Sequence, residues 1–170
     1  RKALGPGVLV TRPPGYVLRI DREHVDAHRF ERLLADARRA SPVERRQLLG
    51  RALELWRGPA LAEFAFEDWA QTEIRRLEEL RLVALEERLA ADIELGHPSD
   101  VVPELEALVT EHPLRERLWY LLMLACHRAG RSAEALRQGV VDHLRYSIGR
   151  PAAVLTLENF YRATALAVRD

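Results

Sequence analysis

From Asp26 onward, apolar residues recur three or four positions apart, the spacing of one face of an α-helix. Phe30, Leu33, Leu34 and Ala37 make the first such stripe, with Asp26 placed to cap it. Ser41-Pro42-Val43-Glu44 reads as a capping box with proline at the first helical position. It predicts a second helix bearing Leu48, Leu49, Ala52, Leu55 and Trp56, stopped by Gly58-Pro59. Trp69, Ala70, Ile74, Leu77, Leu80, Leu85 and Leu89 predict a helix over roughly 67–95, or two helices with a break between them. Gly96, followed by Pro98, ends it. Further stripes predict helices over 100–111 (Val101, Val102, Leu105, Leu108, Val109) and 114–129 (Leu118, Trp119, Leu122, Ala125, Cys126). Two more are expected over 132–147 and after Pro151.

The first twenty residues follow a different pattern. Val8-Leu9-Val10-Thr11 and Tyr16-Val17-Leu18-Arg19-Ile20 are β-prone, and Arg12-Pro13-Pro14-Gly15 between them is a turn signal. A lone two-stranded hairpin is marginal in water, so it is expected to pack on the helix over 26–40 or on the pair that follows. Pro13, Pro14, Gly15 and Tyr16 are read as structural, with Tyr16 covering the hairpin.

The helical part contains a repeat. Gly96 and Gly130 lie 34 residues apart, each between two amphipathic helices, and Pro113 falls 17 residues after Gly96. That period and layout resemble the tetratricopeptide repeat, in which stacked helix pairs share a core that one pair cannot close. Gly139 and Asp92 depart from the pattern, standing where larger apolar or aromatic residues are usual. The fold expected is all-α: a tetratricopeptide-like helical-repeat domain preceded by a short β-hairpin.

Charge narrows the function. Lysine plus arginine and aspartate plus glutamate both number 26, so the chain lacks the basic excess of a domain that binds nucleic acid over its whole surface. Residues 1–20 hold Arg1, Lys2, Arg12 and Arg19 and no acid, which confines any such contact to the N-terminus. The single cysteine, Cys126, sits in an apolar run and fits a cytoplasmic protein. No run approaches the ~20 apolar residues of a membrane span. The segment Gly5-Pro6-Gly7 lacks the lysine and helix start of a phosphate loop, and no Gly-x-Ser-x-Gly elbow occurs. His24 and His28 are four apart, but no third ligand lies near them, so they are read as solvated polar residues. The carboxylates of Glu78-Glu79 and Glu86-Glu87 alternate with arginines and read as a solvated helix face. Trp56, Trp69 and Trp119 read as core anchors. No catalytic residue, metal site or cofactor is expected.

Five strings in order carry a resemblance. They are Thr11-Arg12-Pro13-Pro14-Gly15-Tyr16-Val17-Leu18, Val25-Asp26-Ala27-His28-Arg29-Phe30, the stretch Ala52 to Leu61, the stretch Glu111 to Leu118, and Gly130-Arg131-Ser132-Ala133-Glu134-Ala135-Leu136. Together they resemble the bacterial transcriptional activator domain of the SARP antibiotic regulatory proteins, which follows an OmpR-type winged helix. The altered ending Arg145-Tyr146-Ser147-Ile148-Gly149-Arg150-Pro151 departs from that family. The resemblance implies that residues 1–22 are the remnant wing hairpin of a DNA-binding domain and that 23–170 are the regulatory domain. The chain begins at arginine rather than methionine, and the recognition helix is expected upstream. Arg12, at the hairpin tip, is then the candidate DNA contact, reaching a phosphate or the minor groove. The implied partners are DNA through that upstream domain, RNA polymerase or another regulator, and a second copy of the chain, with no membrane. The competing reading is a generic peptide-binding helical-repeat adaptor.

Overall fold

The computed structural model describes residues 8–131; the helices expected over 132–147 and after Pro151 lie outside the described residues. The chain opens with β1 (Leu9–Arg12) and β2 (Gly15–Leu18), antiparallel partners joined through Pro13-Pro14, with Leu9 opposite Leu18 and Arg12 opposite Gly15. No residue of the hairpin is fully buried, and among the described residues it does not dock into α1 or α2 as expected. Tyr16 does not cover it either, since its side chain is exposed.

Five α-helices follow among the described residues: α1 (Asp26–Ala37), α2 (Pro42–Leu53), α3 (Asp68–Glu94), α4 (Pro98–Glu111) and α5 (Glu116–Arg128). Asp26 is the first residue of α1 rather than its cap; its carboxylate accepts the Ala27 N–H at 2.9 Å. Ser41 caps α2 as its sequence demands, its hydroxyl accepting from Glu44 N–H. Helix α2 stops at Leu53, earlier than Gly58-Pro59, and Leu55 and Trp56 fold back over its end through bonds to the carbonyls of Ala52 and Leu53.

Helix α3 is unbroken over 27 residues, about 40 Å at ~1.5 Å per residue. It needs no break because both of its sides find a core. Phe30, Leu33, Leu34 and Ala37 of α1, with Leu49 and Ala52 of α2, pack around Ala84 and the half-buried Leu80 of α3. Leu82, Leu89 and Ile93 of α3 belong instead to a second core with α4 and α5, centred on the fully buried Leu105, Leu118 and Leu121. Each such leucine contributes roughly 1.5–3 kcal/mol by leaving water. Among the described residues, the two cores meet along α3.

The repeat is visible in the helix ends. At Gly96 (φ 89°) the N–H of His97 reaches Asp92 O at 3.0 Å and that of Gly96 reaches Ile93 O at 3.3 Å. At Gly130 (φ 75°), 34 residues on, Arg131 N–H reaches Cys126 O at 2.8 Å and Gly130 N–H reaches His127 O at 3.0 Å. Both are Schellman caps, which need a left-handed residue that glycine supplies without a Cβ penalty. The architecture is thus all-α and tetratricopeptide-like, with a two-stranded hairpin at the N-terminus. No helix among the described residues is long and apolar enough to cross a membrane.

Candidate functional site

Three surfaces hold the residues with chemistry to offer. The first is the hairpin tip. Arg12 closes β1 on the two-proline turn, is exposed, and forms no ion pair among the described residues.

The second surface is a corner between the start of α1, the connection after α2, and α3. Here the string Ala52–Leu61 wraps around one side chain, Trp56. Its ring meets Phe30 edge-on, with centroids 5.4 Å apart and planes at 85°. The Arg81 guanidinium stacks over it at 4.9 Å. Glu78 holds the connection down, its carboxylate accepting the Ala60 N–H at 2.7 Å. Leu61 is forced into the left-handed region (φ 47°), a conformation costing a side-chain-bearing residue roughly 1–2 kcal/mol. Between these groups lies an open apolar pocket of about 350 Å³, walled by Phe30, Leu55, Trp56, Leu61 and Leu77. Arg57 and Asp26 stand at its rim, 3.7 Å apart, and the Arg57 side chain is 87% exposed.

The third feature is a pair of ionic clamps on α3. The carboxylate of Glu86, only 6% exposed, takes two bonds from Arg115 of the α4–α5 connection, at 2.6 Å from Nε and 3.3 Å from Nη2. Arg115 also reaches Glu79. The hydrogen bond to Glu86 raises the Arg115 pKa above the ordinary arginine value; burial opposes the shift and the bond to Glu79 adds to it. Six residues on, Asp92 is 4% exposed and is gripped by Arg46 of α2 and by Arg88, which in turn reaches Glu104 of α4. The reading of Glu86 as part of a solvated face is therefore wrong: its carboxylate is buried and bonded to an arginine from another element. Asp92, the odd residue in the repeat, is explained the same way.

The sequence also misplaced one tryptophan. Trp119 is buried, its indole N–H donating to Pro113 O at 2.9 Å, but Trp69 is 66% exposed at the start of α3. Its ring meets that of Phe64 (centroids 5.2 Å apart) in an unburied segment, where Phe66 is 99% exposed. Nothing in the apolar spacing separates Trp69 from Ala70, which is buried one position on. His24 lies in a 3-10 turn and His28 in α1, where it faces Glu31 at 3.5 Å. Among the described residues no three histidine, cysteine, aspartate or glutamate side chains are grouped to hold a metal ion.

Comparison with known proteins identifies the family of the chain. Residues 25–157 match the model of the bacterial transcriptional activator domain. Regulatory protein DnrI of Streptomyces peucetius is 42% identical over 135 residues, 76% of this chain and 49% of its own length. Regulatory protein AfsR of Streptomyces coelicolor is 46% identical over 141 residues, 80% of this chain and 14% of its own length. The solved structure of Mycobacterium tuberculosis EmbR in complex with a low affinity phosphopeptide superposes with a TM-score of 0.81 at 29% identity, covering 92% of this chain and 44% of that one. The chain spans about half or less of the length of each. These relatives are transcriptional regulators. The chain belongs to the bacterial transcriptional activator domain family of SARP-type regulators.

Proposed function

We propose that this chain is the regulatory, protein-interaction module of a bacterial transcription activator, non-catalytic and acting in the cytoplasm. Residues 1–22 are the end of a winged-helix DNA reader and residues 23–170 the regulatory domain. The observation that carries this reading is the family match starting at Val25, directly after a hairpin whose apolar Tyr16, Leu18 and Ile20 are left exposed. Such a strand pair needs a second body to cover it, and an upstream DNA reader is that body. Arg12 then reaches a phosphate or the minor groove beside the main contact. The helical domain associates with a second copy, with RNA polymerase, or with another regulator.

Gel shift at fixed salt tests this, comparing the 170-residue chain with a form extended upstream by ~100 residues, one small domain. Specific operator binding is expected only for the extended form. In that form Arg12→Ala lowers affinity and reduces the salt slope by about one ion. Specific binding by the chain alone, or by neither form, overturns the reading. The peptide-binding adaptor is the second reading, favoured by the phosphopeptide held in the EmbR structure. Calorimetry of the chain with a phosphopeptide separates it from the first.

A further inference from the structure

The apolar corner and the exposed aromatic segment lie next to each other in the chain, and each supplies what the other lacks. The pocket is a hole: about 350 Å³ lined by apolar walls, more than twice the ~150 Å³ that suffices to bind a benzene ring in an apolar cavity. Phe66 is a knob, 99% exposed. It follows Ala62 of the pocket lining by four residues, so the two are at most ~14 Å apart along the chain. Glu63, Glu67 and Asp68 flank the knob and form no ion pair among the described residues. Among the described residues, the one ion pair of Arg57, at the rim of the hole, is a long contact of 3.7 Å to Asp26.

We infer that this surface is the contact between two copies of the chain, with Phe66 of each seated in the Trp56 pocket of its partner. A two-fold arrangement makes both contacts at once and closes the assembly at a dimer. Charge sets the register, because Glu67 and Asp68 beside the inserted ring meet the Arg57 of the partner. Phe66 and Trp69 alone supply on the order of 300 Å² of the ~800 Å² that each side of a standard interface buries. Leu61, Phe64 and the charged rim supply the rest. The left-handed backbone of Leu61 keeps its side chain at the edge of the hole, where the strain is balanced by contact with the entering ring. This inference rests on the reading of the domain as a self-associating module and names the surface involved.

Sedimentation equilibrium of the 170-residue chain tests it. A finite dimer is expected at ~100 μM chain, in keeping with a small interface. Phe66→Asp weakens it by more than ~10-fold, the loss of a central aromatic anchor, while the circular dichroism spectrum stays unchanged because the residue is fully exposed. Arg57→Glu and Glu67→Arg each weaken it, and the two together restore it. A chain that stays monomeric, a dimer indifferent to Phe66→Asp, or a charge swap without recovery overturns the contact. Operator binding by the upstream-extended form is read separately. If it persists in a monomer, the dimer fails and the activator reading stands; if it is absent in a dimer, the reverse holds.

Discussion

Removing Arg115 should cost far more than its position in a polar connection suggests. Arg115→Ala leaves the Glu86 carboxylate under a helix surface with neither of its two bonds. Breaking one side of a buried ion pair costs roughly 3–5 kcal/mol, because the remaining charge stays out of water unpaired. Arg115 itself keeps about a quarter of its side chain exposed, so water can reach part of the site. That places the expected loss nearer ~2–3 kcal/mol. The bond to Glu79, more than half exposed, adds at most ~0.5 kcal/mol. With a urea slope of ~2 kcal/mol per molar, the unfolding midpoint should fall by ~1–1.5 M. Arg115→Lys should lie between, since an ammonium lacks the planar fork that meets both oxygens. Arg115→Met with Glu86→Leu should recover most of the loss, because an apolar pair of similar volume has no charge to strand. A midpoint shift below ~0.3 M for Arg115→Ala, or a double variant no better than the single, would refute the reasoning.

Other expectations follow from the same geometry. Arg46 of α2 and Glu104 of α4 have no mutual bond but are joined through Asp92 and Arg88. In a double-mutant cycle, Arg46→Met and Glu104→Gln should therefore give non-additive urea midpoints, and additive shifts would show that the relay carries no coupling. Gly96→Ala and Gly130→Ala should each cost about 1 kcal/mol by thermal unfolding, in matched amounts, because both sit at the same left-handed cap. Deleting residues 1–20 should move the melting temperature by less than ~2 °C, since no hairpin residue is buried; a larger drop would reveal docking that the structure does not show. The Glu73 carboxyl lies below the usual carboxylate range, chiefly because Arg76 donates to it. Its stabilisation is therefore present above the unfolded value of ~4.3 and is lost as pH falls through the lower folded value. Glu73→Gln should flatten the stability slope below about pH 4.5 and leave the slope above pH 6 unchanged, as urea titrations across pH would read out.

Helices with one buried stripe were legible from spacing alone. All four stripe positions of α1 are buried, and so are the five of α4 and the five of α5. In α1 and α4 the stripe accounts for every buried residue, so apolar period and burial coincide, whereas α5 also buries Leu121 and Met123. Helix α3 broke the rule because it is covered on two sides. Its buried set includes Glu86 and Asp92, which no hydrophobic count would select. What conceals such residues is that their partners are distant: Arg115 is 29 positions from Glu86, and Arg46 is 46 from Asp92. The Arg115-Glu116-Arg117 string was visible, but only tertiary structure shows which arginine turns inward. Trp69 was misread for the opposite reason, because residue type outweighed position at a helix start where the chain has not yet reached the core. The pocket could not be read at all, since it forms from an irregular connection whose one left-handed residue is a leucine rather than a glycine.

The single helix shared by two cores has a consequence for how this domain can change over time. Ala84 faces one core, while Leu82 and Leu89 face the other. Among the described residues, the angular phase of α3 thus sets the register between the two halves. One residue inserted near position 86 would turn everything beyond it by about 100° and push it ~1.5 Å along the axis. The repeat would then swing to another side of the α1–α2 pair, and Asp92 would leave Arg46. The short connection 38–41 can drift in length with little penalty, but α3 behaves as a gauge of fixed length. Lineages of this domain should vary in their loops and keep the residue count of that helix constant.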